Sequence, residues 1–287
     1  MLSEHIEYVG EIKRITSNEY HGKILYLMIS GSDLFGFRSA DSDTDYRGCF
    51  QVNTNKFLGF QKPRDFIKIK TLKEGMTEAD IGEYDIYDKE VFIDELEREV
   101  KLLVQGNCNH YEHLFAKPLL TSNEHIELQK IFSFDEHMNL LGLYNSYKGM
   151  AYQNYKKFIL GGKHTVKKYL YVLRGLMAGT YVMQTGKIEP NIDILSDYYK
   201  SPIIKELIDL KKRGMEKDPV NKNLDRYNQA VDTWFEIINE EAKNHFEYEK
   251  IADEIHFKAN KTDVDERTKI MNKWLSKTRL RYLDGYQ

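Results

Sequence analysis

The sequence predicts an α+β fold in which a mixed sheet with flanking helices is followed by an all-helical part. Up to about residue 94, short apolar stretches stop at glycine or alternate with charged residues, which is typical of strands. Beyond that point apolar residues recur every three or four positions almost to the end, which is typical of amphipathic helices. This change of period predicts a boundary near residues 121–137, and we divide the chain into residues 1–130 and 131–287.

The individual elements follow in chain order. Leu2, Ile6, Val9 and Ile12 have helical spacing and predict a first helix. Strands are predicted at residues 24–30, 45–52 and 66–70, with further extended segments at 80–87 and 90–93. Helices are predicted at residues 94–104, 124–132, 138–160, 165–184, 202–212, 224–257 and 266–282.

Composition limits the classes of protein that this chain can belong to. A net charge of −3 over 287 residues excludes a uniformly basic nucleic-acid binder, although it permits a local basic patch. Cys49 and Cys108 are too few for a disulfide framework or a four-thiolate zinc site, which suits a reducing cytoplasm. We find no signal peptide and no apolar run near the roughly 18 residues of a membrane span, and so predict a soluble cytoplasmic protein.

The most informative stretch is an apolar run followed by a small-residue turn and an acidic ladder. The run ends at Gly31-Ser32, and the ladder is Asp41, Asp43 and Asp45. Asp43 and Asp45 stand two apart where a strand begins, so their side chains point the same way and would repel each other without a cation between them. Mg²⁺ prefers a few carboxylates together with phosphate oxygens. Gly31 and Ser32 would offer backbone N–H groups and a hydroxyl to those phosphates.

Three other interpretations of the ladder are an EF-hand loop, a P-loop and a solvated acidic turn. An EF-hand loop needs glycine at its sixth position and glutamate at its twelfth, where this chain has Tyr46 and Val52. A P-loop needs lysine and a hydroxyl residue after its second glycine, where this chain has Phe37-Arg38. A solvated acidic turn explains the aspartates alone, with Asp41 shaping the turn, but not the preceding strand and Gly31.

The pattern G-S-x-x-x-G, then D-S-D-x-D-x-R-G, resembles the nucleotidyltransferases of the DNA polymerase beta superfamily. It is most similar to the predicted nucleotidyltransferases that are linked to RNA repair. The resemblance continues through a strand acid at Glu90, the turn Gly106-Asn107 and the helix Glu112-His-Leu-Phe. One departure is Cys108, where the family has proline; we expect a small buried side chain there and not a nucleophile.

The resemblance implies a third carboxylate on a neighbouring strand, which completes a catalytic Mg²⁺ or Mn²⁺ site with Asp43 and Asp45. Its position before Gly106 favours Glu90, although the family more often has aspartate. Asp88 shares strand parity with Glu90 and is the alternative, while Asp85 is less favoured. Glu90 would otherwise be a surface acid near a helix N-terminus, where the helix dipole favours it.

A second informative stretch lies in the helical half. An apolar stripe of helical period predicts a core face, and its members are Val166, Leu170, Leu173 and Met177. A neighbouring stripe consists of Lys163, Lys167, Tyr171 and Arg174. A basic stripe beside a buried one is expected at the rim of an interdomain cleft, where it could neutralise a triphosphate. Solvated lysines are the ordinary explanation of such a stripe. However, lysine, tyrosine and arginine at these positions resemble the second signature of the family, which implies that Lys167, Tyr171 and Arg174 bind the nucleotide.

Together these observations predict an enzyme that transfers a nucleoside monophosphate from an NTP, such as ATP, to an acceptor hydroxyl, with release of pyrophosphate. The resemblance favours an RNA end as the acceptor. A protein or small-molecule acceptor is an alternative, and so is a catalytically silent nucleotide-binding regulatory protein. The sequence predicts neither the number of subunits nor a role for residues 202–287.

Overall fold

The computed structural model describes residues 2–39, 42–58, 60, 62–72, 87–134, 136–214, 220, 224–251, 254–257 and 261–283. The strands in this part of the chain are β1 (Gly22–Ile29), β2 (Thr44–Val52), β3 (Phe66–Leu72), β4 (Tyr87–Glu95), β5 (Pro118–Leu120), β6 (Tyr248–Ile251) and β7 (Glu254–Phe257).

The first group of helices accompanies these strands: α1 (Leu2–Tyr20), α2 (Gly31–Leu34), α3 (Leu96–Val104), α4 (Cys108–Phe115) and α5 (Asn123–Ile131). The second group is α6 (Leu140–Asn154) with a π-helical turn Tyr155–Ile159, then α7 (Val166–Thr185), α8 (Ile192–Tyr198), α9 (Pro202–Lys212), α10 (Leu224–His245) and α11 (Lys261–Arg281). The predicted α+β arrangement of a mixed sheet, flanking helices and a helical C-terminal region is confirmed.

The central sheet has five strands in the order β3-β4-β2-β1-β5. β2 runs parallel to β4 and antiparallel to β1, so the sheet is mixed, and β3 is an edge strand. In the register of the parallel pair, Asp45 lies opposite Glu90, Arg47 opposite Phe92 and Cys49 opposite Asp94. Because alternate side chains of a strand share a face, all of these project from the same side of the sheet.

The two faces of the sheet are covered differently. Helix α1 covers one face, where Tyr8 and Ile12 pack against buried strand residues such as Tyr46 and Val91. The face that carries Asp45 and Glu90 packs against α3 and α4, and its core continues into the helical half. One set of buried side chains therefore joins the two parts of the chain.

Helix α7 lies at the centre of the helical half. It packs against α6, α8, α9 and α10, and most of its residues are buried. Helix α11 instead reaches back to the strand-bearing part, where it packs against α3. There Arg279 pairs with Glu95 at 3.1 Å and lies over the ring of Phe57 at 3.7 Å.

Several details differ from the sequence prediction. The helix predicted over residues 224–257 ends at His245, and a short hairpin of β6 and β7 follows, because paired strands there replace the helical hydrogen bonds. Helix α8, which Asn191 caps with its side chain, was not predicted. Of the extended segment predicted at 80–87, only the last position is among the described residues. Asp41 and Asp85 also lie outside them. In the described part, no helix combines the length and the apolar character of a membrane-spanning segment.

Candidate active site

The three predicted metal-binding carboxylates lie at one end of the sheet. Asp43 comes just before β2, Asp45 is the second residue of β2, and Glu90 lies directly opposite Asp45 on the parallel strand β4. Asp88 shares the face of Glu90 but is more exposed, and its carboxylate lies 3.8 Å from the Lys89 ammonium. The register thus places Asp45 beside Glu90, while Asp88 lies two residues nearer the start of β4.

Arg47 joins these two carboxylates. Its guanidinium donates to Asp45 Oδ1 at 3.1 Å and to Glu90 Oε1 at 3.0 Å. Burial raises the pKa of Asp45; Arg47 opposes this, while Asp43 and Glu90 raise the pKa further. For Glu90, burial is outweighed by Arg47 together with Lys70 and Lys68, and the pKa is lowered. The site therefore gathers negative charge that additional cations would stabilise.

The turn after β1 brings backbone against the same carboxylates. The backbone N–H of Ser30 donates to the Asp45 carbonyl at 2.7 Å, and Gly31 begins α2 with φ +65°. A side chain at position 31 would collide with the Asp45 carboxylate, so both the backbone angle and the space require glycine. Ser32 follows in the first turn of α2, where N–H groups lack intrahelical partners.

A partly buried histidine contacts this turn. His113 of α4 makes a 3.2 Å hydrogen bond with the Ser30 hydroxyl. Burial lowers the pKa of His113 well below its usual range, and nearby His110, Arg47 and Arg174 lower it further. The ring is therefore neutral, and it fixes the Ser30 side chain immediately before Gly31.

The loop between α2 and β2 is held by the helical half. The Phe35 carbonyl accepts a 3.0 Å hydrogen bond from the backbone N–H of Ile192 in α8. Tyr171 of α7 makes edge-on contacts with the rings of Phe35 and Phe37 at 5.9 and 5.6 Å. Buried Lys211 of α9 donates to the Ser39 hydroxyl at 2.9 Å. Three helices of the second half thus position the loop that precedes the aspartates.

The helical stripe predicted that Arg174 lies at an open rim, but the structure buries this side chain. Its guanidinium is 1% exposed, because it pairs at 2.6 Å with fully buried Glu112 of α4. It also lies 3.7 Å from the centre of the Phe35 ring. In this structure Arg174 joins α7, α4 and the loop, and its guanidinium offers no open fork to a phosphate.

Lys167 and Tyr171 lie closer to the carboxylates. Both are partly exposed on α7. Burial raises the pKa of Tyr171; Lys167 and Arg174 oppose this, and Asp45 and Asp43 add to it. The Tyr171 hydroxyl is therefore near enough to the cations of α7 and to the two aspartates to be influenced by both. The structure therefore brings six of the predicted residues near one another: Gly31, Asp43, Asp45, Glu90, Lys167 and Tyr171.

A second polar cluster lies further along the same face of the sheet. Ligand atoms of Asp94, Glu99 and His110 lie within 4.8 Å of one another, close enough to share a metal ion. They already have partners, however: His110 bonds Glu99 at 2.7 Å, Tyr26 donates to Glu99 at 2.7 Å, and Arg98 lies 2.5 Å from Asp94. Burial raises the pKa of Asp94 to about 6, an effect that Glu99 increases and that His110 and Arg98 oppose.

Some residues of the site had no predicted role. Arg47 was part of the motif, and its position two residues after Asp45 was the signal that it shares the same face. His113, Glu112 and Lys211 act through tertiary contacts that no local pattern reveals. Cys108 is buried as expected, and burial raises its pKa to about 12, so that the thiol stays protonated.

Comparison with known proteins gives two findings. Residues 5–257 match the family described as RlaP, the RNA repair pathway DNA polymerase beta family. The chain is also 28% identical over 246 residues to the uncharacterized protein YcgL of Bacillus subtilis (strain 168), which covers 82% of this chain and 86% of that protein. The family match includes the whole candidate site and ends before α11.

Proposed function

The chain belongs to the RNA repair pathway DNA polymerase beta family and is a nucleotidyltransferase; we propose that it transfers a nucleoside monophosphate from ATP or another NTP to a hydroxyl on RNA. The observation that carries the proposal is the register of Asp45 against Glu90, beside Gly31. We also propose that residues 1–130 hold the catalytic site, that residues 131–287 support nucleotide and acceptor binding, and that the enzyme acts in the cytoplasm.

The carboxylates fit a divalent cation such as Mg²⁺ or Mn²⁺. Asp43, Asp45 and Glu90 offer the oxygen ligands that these ions prefer. Burial raises the pKa of Asp45, and the nearby charges of Asp43 and Glu90 raise it further. When bound, such ions would neutralise phosphate charge and favour formation of the attacking alkoxide. We assign Asp43 and Asp45 to the metal and to catalysis, with Glu90 as the third ligand.

The chain's own residues would orient the nucleotide. Gly31 and Ser32 would face the β- and γ-phosphates with N–H groups and a hydroxyl, since glycine permits close approach. Lys167 and Tyr171 would add a cation and a hydroxyl from α7. Arg174 would act as a positioning residue, because it holds Phe35 and Glu112. Most of the rate acceleration would then come from positioning and charge neutralisation.

The acceptor hydroxyl would approach from the β4 side of the site. We assign Glu90 the role of proton acceptor for this hydroxyl, because its carboxylate lies opposite Asp45 on the neighbouring strand. Asp88, which is one step further out, would not reach the same atoms. Replacement of each acid by its amide therefore distinguishes the two candidates.

The test is a transfer assay with labelled nucleotides. Wild-type protein, Glu90→Gln and Asp88→Asn are incubated with each labelled NTP, Mg²⁺ or Mn²⁺, and total RNA. We expect label in RNA for wild type, a loss of about a hundredfold or more for Glu90→Gln, and near-normal transfer for Asp88→Asn. The reverse order of the two variants would move the third ligand to Asp88.

The same assay separates the acceptor classes. Label on the protein itself or on a small molecule would replace RNA as the acceptor while keeping the reaction. Nucleotide that binds but never transfers, under all metals and acceptors, would contradict catalysis and identify a regulatory nucleotide-binding protein.

A further inference from the structure

The exposed side of edge strand β3 lies beside the third carboxylate. Lys70 is paired with Glu90, Lys68 with Phe92 and Phe66 with Asp94. Alternation along the strand puts Lys70, Lys68 and Phe66 on one face, the face of the candidate active site. At about 3.4 Å per residue, this line of side chains extends roughly 13 Å from Glu90.

The two lysines of this line are partly exposed and pair with Glu90. The Lys70 and Lys68 ammonium groups lie 3.3 and 3.9 Å from Glu90 Oε2, and their side chains are 33% and 48% exposed. Exposed ion pairs of this kind contribute little stability. The Lys68 ammonium, which is the more exposed of the two and lies 3.9 Å from Glu90, can therefore turn towards a phosphate.

The line continues with aromatic surface. The rings of Phe66 and Phe92 stack at 4.9 Å with an interplanar angle of 18°, and Phe66 is 41% exposed. The Arg98 guanidinium lies 5.5 Å from the centre of the Phe66 ring. Lysines on an edge strand also prevent unwanted strand pairing, but that role does not call for an exposed phenylalanine between them and an arginine.

Beyond Phe66 the surface opens into a cavity of about 490 Å³. Its lining contributes four cationic side chains, from Lys62, Arg64, Arg98 and Lys101. It also contains the acids Asp65, Glu95 and Glu97, of which Glu95 is paired with Arg279 at 3.1 Å. Cations thus occur both before and after the aromatic pair.

We propose that this β3 track, defined as Lys70, Lys68, Phe66, Phe92 and the cavity beyond them, binds the single-stranded end of the RNA acceptor. The proposal rests on the proposed function, because Glu90 marks where the acceptor hydroxyl must arrive. Lysines at two positions along the strand suit successive phosphates, and an exposed ring suits a stacked base. An acidic protein segment would be attracted by the lysines and the cavity but would make no use of the ring.

The test compares RNA binding by matched variants without nucleotide. The probe is a fluorescein-labelled single-stranded RNA dodecamer of mixed sequence, measured by anisotropy at several salt concentrations. The variants are Lys68→Ala and Phe66→Ala, with Lys13→Ala as control, since Lys13 is exposed on α1 at the opposite face of the sheet. Thermal melting and Mg-ATP titration accompany each variant as checks of folding and of the nucleotide site.

We expect Lys68→Ala to weaken RNA binding and to reduce the slope of log affinity against log salt by about one. Phe66→Ala should weaken binding about tenfold with little change in slope, because stacking carries no charge. In both variants the loss for RNA should exceed the loss for Mg-ATP, and Lys13→Ala should bind RNA as wild type does.

Three results would overturn the proposed RNA track. They are equal RNA affinity in all four proteins, no RNA binding by wild type, and displacement of RNA by polyglutamate together with no effect of Phe66→Ala. Transfer to RNA that is unimpaired in both track variants would also overturn it while the proposed function stands. RNA binding that depends on Phe66 and Lys68, without any nucleotide transfer, would support the track and contradict the proposed function.

Discussion

Replacing Arg174 by alanine tests whether this guanidinium supports the fold or serves only as a surface ligand. Arg174 and Glu112 are both almost fully buried and lie 2.6 Å apart. Removal of one partner leaves an unpaired buried charge, which costs about 3–5 kcal/mol. The cation–π contact with Phe35 is lost as well, and it contributes about 1–2 kcal/mol where water is excluded.

We therefore expect Arg174→Ala to lower the free energy of unfolding by at least about 3 kcal/mol, measured by urea denaturation followed by circular dichroism. Lys163→Ala is the matched control, since Lys163 belongs to the same predicted stripe but is exposed; it should change stability by less than about 0.5 kcal/mol. The double variant Arg174→Met/Glu112→Leu should recover most of the loss, because it removes both charges and keeps similar volume.

Two results would refute this reasoning. A loss below about 1 kcal/mol for Arg174→Ala would mean that the pair is hydrated and weak. A double variant no more stable than the single variant would mean that the cost comes from lost packing and not from the unpaired Glu112 charge.

Two further predictions concern Gly31 and Asp94. Gly31→Ala should cost about 1–2 kcal/mol of stability and displace Asp45, which should weaken Mg-ATP binding at least tenfold by calorimetry. The control Gly10→Ala, in open space on α1, should instead stabilise the protein by about 0.5–1 kcal/mol. Normal nucleotide affinity in Gly31→Ala would contradict the close approach of Gly31 to Asp45. Because the pKa of Asp94 is raised from 3.8 to about 6, the folded state keeps a proton that the unfolded chain releases in this window, and stability falls as pH rises through it. Asp94→Asn removes this loss, so the stability of the variant relative to wild type should rise by on the order of 1–2 kcal/mol between about pH 4 and 7, measured by urea denaturation. A stability difference that stays constant over this pH range would show that Asp94 is ionised normally.

The sequence was most informative where function depends on neighbouring residues. Asp43 and Asp45 stand two apart where a strand begins, so spacing alone predicts that their side chains point the same way. The resemblance already favoured Glu90 over Asp88. That Glu90 lies opposite Asp45, however, follows from the register between β2 and β4, which is set by pairing across the sheet and not by local pattern.

The helical half shows where periodicity fails. The stripe containing Lys167 and Arg174 was expected to face one solvent-exposed rim, but α7 has neighbours on several sides. A helix surrounded in this way has no single polar face, so Arg174 is buried and finds its partner, Glu112, far away in sequence. Likewise, the helix predicted over residues 224–257 extends over β6 and β7, which pair as antiparallel strands.

The measurement that tests the central claim most directly is titration of ATP into wild-type protein and into Asp43→Ala/Asp45→Ala, each with and without Mg²⁺. The account predicts nucleotide binding by wild type that strengthens with the metal, and a double variant in which this metal-dependent gain is lost. Equal metal-dependent binding by the two proteins would contradict the assignment of Asp43 and Asp45, and with it the proposed site.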